Sequence, residues 1–346
     1  MGLVRTAITR RQFVVGASMA GAGLGLLTGC GRLPWQPAPA PRILRIGFLS
    51  AGVASTTADR VAVFRQGLRD LGYVEGENVV IEYRYGEGHL DRVSELAAEL
   101  VRLPVDAILA AAPTATRPAK EATVTLPIVM AYDTDPVGNG FIASLARPGG
   151  NITGLSSLAP GISGKQLELL QAMVPGLARV AVLGNSIPGA YADLRQDPRS
   201  KEMEVAAGTL GVQLQYLDVR SLEDIEPAFG EARRGHADAA VALGSAILES
   251  DRARVADLAA QYRLPTVYHA REFVEVGGLA CYGVSFIALY RRAAYYVDRI
   301  LKGAKPADLP VEQPMTFEFV VNMKTARELG ITLPNEIMLQ VTEVIE

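Results

Sequence analysis

The sequence predicts an α/β chain organised as two successive lobes, each a parallel sheet flanked by helices. Three observations carry this expectation. From Arg45 onward, short β-rich runs alternate with amphipathic helical patterns, the signature of repeated strand-helix-strand units. The alternation restarts after the stretch RPGGNITGLS at 147–156. A length of 346 residues at 49% hydrophobic composition leaves room for two cores.

The elements follow in order. RIGFLS (45–50) reads as strand one, and the span 59–71 as a helix whose Val61, Phe64 and Leu68 recur at helical spacing until Gly72 stops it. VVIEYRY (79–85) is a second strand, 90–103 a second helix, AILAAA (107–112) a third strand and LPIVMAY (126–132) a fourth. The second unit gives helix 164–173, strand 179–185, helix 199–210, strand 212–219, helix 222–234, strand 238–244, helix 249–262 and strand 265–270. In the last eighty residues, GLACYGV (278–284) reads as a short buried strand and 287–301 as a helix. A linker, a strand and a terminal helix then follow. Too little core remains there for a third domain, so these pieces complete the first two lobes and the chain crosses between lobes more than once.

Composition narrows the function classes. The formal charge is −3, and residues 1–29 hold Arg5, Arg10 and Arg11 with no acid, leaving 31 basic against 37 acidic residues beyond them. That balance gives nucleic acid no footing. Cys30 and Cys281 are the two cysteines, too few and too far apart for a disulfide framework. His89, His236 and His269 lie on different elements without metal-ligand spacing, so neither a metal nor a cofactor is expected. Cys281 sits in an apolar run and reads as a buried small hydrophobe.

TRRQFVVGASMAGAGLGLLTGC at 9–30 contains a GAGLG run that invites a phosphate-loop reading. Such a loop needs a preceding strand and a following amphipathic helix, whereas here an arginine pair leads into an apolar run too short to span a bilayer. The pattern is that of an export signal over 1–29. Thr9 to Phe13 resembles a twin-arginine signal and Leu27 to Cys30 a bacterial lipobox, which would acylate Cys30; a plain signal peptide with Cys30 incidental is the alternative. GRLPWQPAPAPR (31–42) follows as a stiff tether, assigned to 30–43.

Long stretches then resemble a known family: FRQGLRDLGYVEGENVVIEYRYGEG, LPIVM, DPVGNGFIASLARPGGNITGLSSLAPGISGKQLELLQAMVPGLARVAVL, REFVEVGGLACYG and LYRRAAYYVDRILKGAKPADLPVEQPMTFEFVVNMKTARELGI. Nearly end to end from Arg45, the chain resembles the ABC-transporter substrate-binding proteins of the tryptophan-binding-like family. The resemblance implies a type I periplasmic-binding-protein fold: two doubly wound lobes, a three-segment hinge and a ligand cleft between them. The expected crossings are near Gly154–Ser156, Leu279–Gly283 and Pro314–Phe317. Lobe 1 is then 44–154 plus 280–314, and lobe 2 is 155–279 plus 315–346.

In open parallel sheets, ligands collect at the carboxyl ends of strands. Candidate ligand residues are therefore Ser50 and Ala51 after strand one, and Ala112, Pro113 and Thr114 after strand three. Asp133 and Thr134 follow strand four, Asn185 and Ser245 stand in the second lobe, and His269 lies at a strand end facing the cleft. Ser50 and Thr114 suit a carboxylate, or serve simply as N-caps. Asp133 and Asp135 offer paired carboxylates for acid-base work, an amine partner through Asp133, or a turn. Tyr132 could stack on an aromatic ligand. RPGGN reads as a hinge or turn. Two departures from the family pattern flank the cleft: Gly184 where a bulky aromatic often precedes Asn185, and Val284-Ser285 where Pro-Asn often follows YG.

The expected function is an exported, lipid-anchored receptor that captures a small molecule, an amino acid or similar, and delivers it to an ABC permease in the membrane. An enzyme in the same cleft lacks a Ser-His-Asp arrangement or a dinucleotide fingerprint. A transcription regulator would need a helix-turn-helix where the export signal stands. A receptor feeding a membrane sensor is an open alternative.

Overall fold

A computed structural model of the protein describes residues 42–157, 159–187 and 191–346. The signal sequence, Cys30 and all but the last two residues of the tether lie outside the described residues.

Two sheets form, and their inner strands use the continuous apolar runs that strands covered on both faces require. In the first, β1 (Leu44–Ser50), β2 (Val79–Tyr85), β3 (Ala107–Ala111), β4 (Ile128–Asp133) and β5 (Ile152–Ser156) stand in the order β2-β1-β3-β4-β5, all parallel. Alternate residues point to opposite faces and pack against different helices. Ile46, Phe48 and Leu109 meet α1 (Ala58–Asp70), whereas Leu49, Ile108 and Ala110 meet α2 (Arg92–Arg102) and α3 (Pro113–Ala122). The second sheet takes up β6 (Arg179–Gly184), β7 (Gln213–Asp218), β8 (Ala239–Ala242), β9 (Thr266–Tyr268) and β10 (Ala280–Gly283). With β11 (Glu318–Asn322) and β12 (Glu343–Ile345) its order is β12-β11-β10-β9-β8-β6-β7. Only the β10–β11 pairing is antiparallel. One face is covered by α6 (Ile225–Arg234), α8 (Arg252–Gln261) and α9 (Arg271–Glu275); the other by α4 (Ala159–Met173), α5 (Pro198–Leu210), α11 (Met323–Leu329) and α12 (Asn335–Met338). The short α7 (Ala246–Ser250) leads into α8, and Asp251 separates them where one helix is expected.

The chain crosses between sheets three times. It leaves the first after β5, and after β10 it returns as α10 (Phe286–Leu301), which lies along α1. A Cβ on Gly67 would stand 2.8 Å from Ala294 Cβ, so this approach of the two helices needs glycine. The segment after α10 seats Glu312 beside Leu155 at the edge of β5, and the third crossing carries the chain into β11.

Three expectations are corrected. The stretch Gly154–Ser156, expected as a crossing, is the end of β5, the edge strand of the first sheet, and the crossing follows Ser156. Residues 280–283, expected in lobe 1, form β10 inside the second sheet, so the first lobe resumes only with α10. Thr114, offered as an N-cap, instead lies in the first turn of α3, which begins at Pro113 with Ala112 at the cap; Pro118 sits in the second turn, where its missing N–H deprives only the Thr114 carbonyl. Cys281 is buried in β10, where burial pushes its thiol up to about 12.

Candidate functional site

The carboxyl ends of the two sheets face each other across a cleft, and a cavity lies between them. Its atom-free space is about 660 Å³, including open solvent at its mouth. Lobe 1 contributes the β3–α3 turn. Ala112 adopts a left-handed backbone (φ 68°), which turns the chain sharply so that α3 begins at Pro113 with its first turn toward the cavity. Pro at the first helical position lacks only an N–H that has no helical partner, and the remaining first-turn amides favour an anion. Thr114 lines the cavity at 8% exposure, and its Oγ1 makes no hydrogen bond within the protein.

Lobe 2 contributes Asn185, Ser245 and His269 from the ends of β6, β8 and β9. Ser245 Oγ accepts from Leu248 N at 3.5 Å and caps α7. Asn185 Nδ2 donates to the Ser186 carbonyl at 3.1 Å. His269 Nε2 lies 2.9 Å from Glu249 Oε1, while Nδ1 is buried without a partner. Phe286, the first residue of α10, sits among these groups: its ring is 4.6 Å from Tyr132 and 5.8 Å from His269, and the Arg60 guanidinium carbon lies 4.4 Å over it.

Two buried arginines set the electrostatics. Arg199 lines the cavity and is tied down within lobe 2. Nε and Nη2 donate to Asp197 at 3.0 and 2.5 Å, and Nη1 to the Gly244 carbonyl at 2.6 Å. Burial opposes both charges, yet their attraction outweighs it: the arginine is held above and the aspartate below its usual range. Arg60 reaches from lobe 1 into lobe 2, with Nη1 2.7 Å from Glu249 Oε2 and Nη2 2.9 Å from Glu272 Oε1. Against the burial penalty, Arg60 first and His269 second pull the Glu249 carboxyl down to about 2.

Of the residues expected to meet a ligand, Ala112, Pro113, Thr114, Thr134, Asn185, Ser245 and His269 line this one cavity. Three do not. Ser50 Oγ accepts from Gly52 N at 3.1 Å and borders a smaller adjoining recess beside Arg60. Ala51 is buried, its carbonyl receiving Gly88 N at 2.9 Å. Asp133 is fully buried beneath the loop it organises, accepting from Asp135 N at 3.0 Å and Asn139 Nδ2 at 2.8 Å; burial raises its carboxyl to about 7. Its role is a turn within lobe 1, because no face of it reaches the cleft. Residues missed in the sequence include Arg199, Ile162 and Gln166, whose Nε2 donates to the Tyr282 carbonyl at 2.7 Å. At Gly184 an added Cβ would meet Leu194 Cδ1 at 3.0 Å, so Leu194 fills the space expected of an aromatic, and Val284 lines the cavity itself. Among the described residues no three His, Cys, Asp or Glu side chains are placed to hold a metal, and no helix is long and apolar enough to cross a membrane.

Two doubly wound lobes, three connections and a cavity between them with polar groups from both sides define a binding protein of the type I periplasmic architecture. The model of the ABC transporter substrate binding protein family matches residues 55–345, and the chain belongs to that family. It is 24% identical over 268 residues to a tyrosine-binding protein of Clostridioides difficile, covering 78% of this chain and 75% of the relative. A Streptococcus pneumoniae ABC domain crystallised with L-Trp is similar at 29% identity and a TM-score of 0.77, covering 87% of this chain and all of that one. A conserved domain protein of Vibrio cholerae is similar at 25% identity and a TM-score of 0.79, covering 88% and 100%.

Proposed function

We propose that the protein is the extracytoplasmic receptor of an ABC importer, capturing a free amino acid, aromatic ones foremost, and presenting it to a membrane permease. One observation carries this reading: Thr114 Oγ1 from lobe 1 and His269 Nδ1 from lobe 2 are both buried, both unpartnered and both at the same cavity. A ligand with polar groups at one end satisfies both. Its carboxylate sits over the first turn of α3 with Thr114, and its side chain meets Phe286, Tyr132, Ile162, Leu243 and Val284. The L-Trp complex and the tyrosine-binding relative support the amino-acid class.

No bond changes. Contacts from both lobes make the closed form the tighter binder, so ligand shifts the population toward closure and the permease reads loaded from empty by shape. Thermal-shift screening of the proteinogenic amino acids, followed by calorimetry and solution scattering, tests the reading. L-tryptophan or L-tyrosine binds at a stoichiometry of one, raises Tm and reduces the radius of gyration; a screen without a single shift sinks it.

Export by the residue 1–29 signal and acylation of Cys30 complete the proposal, the prolines of 31–42 tethering the receptor to the membrane. Cys30→Ser is expected to release the protein from the membrane fraction with ligand affinity unchanged. Retention of the serine variant in membranes would show that Cys30 is not the anchor.

A further inference from the structure

Amino-acid recognition needs a partner for the ammonium group, yet no carboxylate stands among the described residues lining the cavity. The lining arginine, Arg199, is neutralised by Asp197. The negative pole lies one layer back. Behind His269, Glu249 and Glu272 share the single cation Arg60, so the three charged groups sum to −1. That surplus faces His269, across the cavity from the positive end of α3.

His269 is oriented to transmit it. Both Glu249 oxygens are acceptors, Oε2 taking Arg60 Nη1 at 2.7 Å and Oε1 lying 2.9 Å from the imidazole, so Nε2 carries the hydrogen. In the neutral ring the lone pair is then on Nδ1, the buried atom without a partner in the protein. The ring is held edge-on by Phe273 and Phe286, at centroid distances of 5.4 and 5.8 Å.

We propose that His269 Nδ1 receives the ligand's ammonium group, so that a zwitterion lies with its carboxylate on lobe 1 and its cation on lobe 2. This inference rests on the amino-acid reading above. The ligand then joins an ordered chain, ammonium to His269 to Glu249 to Arg60, that returns to lobe 1 and spans the closed cleft. A cation held through an imidazole nitrogen, with its countercharge one residue further back, distinguishes this site from one built on a direct carboxylate.

The test is calorimetry with L-tyrosine and L-tryptophan against their desamino counterparts, 3-(4-hydroxyphenyl)propanoate and 3-indolepropanoate. Wild-type protein is expected to bind the amino acids roughly ten- to a hundredfold more tightly, the range of a hydrogen bond to a charged group. His269→Gln keeps an amide donor for Glu249 but removes the lone pair at Nδ1, and the preference is expected to shrink to about threefold or less because amino-acid binding weakens more than desamino binding. His269→Asn, which retains an acceptor near Nδ1, restores part of it. Nitrogen-15 spectra of histidine-labelled, ligand-free protein should show the Nε2–H tautomer for the resonance lost in His269→Gln. An Nδ1–H tautomer, or a preference undiminished in His269→Gln, overturns the inference while the amino-acid reading stands. If neither amino acid binds wild-type protein, that reading fails and this inference fails with it.

Discussion

The two buried arginines at the cleft look alike and do different work. Arg199 and Asp197 are two residues apart on the N-terminal turn of α5, both nearly inaccessible, and the pair exists whatever the lobes do. Arg60 meets partners 189 and 212 residues away on the opposite lobe, so its pairs exist only when the lobes are together. On the proposed hinge closure, one arginine is scaffold and the other is latch. Removing a partner from a closed interior leaves a charge with nowhere to go, whereas removing one from a hinged interface lets the other rehydrate by opening.

Arg199→Met breaks the comparison at its rigid end and has the largest expected effect. It strands the Asp197 carboxylate inside lobe 2 beside the cavity, at a cost of about 3 to 5 kcal/mol in unfolding free energy, with or without ligand. Urea denaturation measures it; a loss below about 1 kcal/mol would mean that Asp197 reaches water and that the pair is not scaffold. A double variant, Asp197→Asn with Arg199→Met, recovers most of the loss, because no charge is then left alone.

The difference between the pairs also explains what was legible in the sequence. Strands such as RIGFLS and AILAA declare themselves because residues buried on both faces of a parallel sheet must be apolar in an unbroken run, whereas the edge strand VVIEYRY shows itself by β-rich residues with Glu82 and Arg84 between them. The site was legible where it follows the strand-end rule: Thr114, Asn185, Ser245 and His269 all stand just beyond strands. Ser50 and Asp133 obey the same rule and still miss the cavity, since each spends its side chain on its own turn, Ser50 on Gly52 N and Asp133 on Asp135 N. Ile162 and Gln166 escape because they enter from α4, immediately after a crossing whose position was misread. Arg199 did carry a local signal, Asp197-Pro198 marking a capped helix start with the arginine just inside it. Arg60 carried a fainter one, a cation in the first turn of a helix where the dipole disfavours it, which asks for a partner elsewhere. That its partners would be Glu249 and Glu272 follows only from three crossings of the chain, which no local pattern encodes.

Arg60→Met sharpens the comparison at its hinged end. In ligand-free protein the lobes part, Glu249 and Glu272 hydrate, and the unfolding free energy falls by less than for Arg199→Met, under about 2 kcal/mol. The radius of gyration rises, and affinity for L-tyrosine or L-tryptophan drops roughly ten- to a hundredfold because the binding-competent closed form is rarer. Acid supplies the same contrast within wild-type protein. Glu249 has a folded-state carboxyl held at about 2 against an ordinary value of 4.5, so its contribution is present above pH 4.5 and is lost as pH falls toward 2. The difference corresponds to roughly 3 kcal/mol at most, because opening gives the carboxyl a hydrated alternative. Asp133 acts with the opposite sign, since its carboxyl is raised to about 7: stability declines as pH climbs from about 4 to 7, above the window of the latch. Solution scattering from pH 6 down to 2.5 therefore separates the two. Expansion below pH 4.5 in wild-type protein, absent from an already open Arg60→Met, assigns the acid limb to the latch. Identical profiles for the two proteins would remove Glu249 from the closing mechanism and leave Arg60 as scaffold like Arg199.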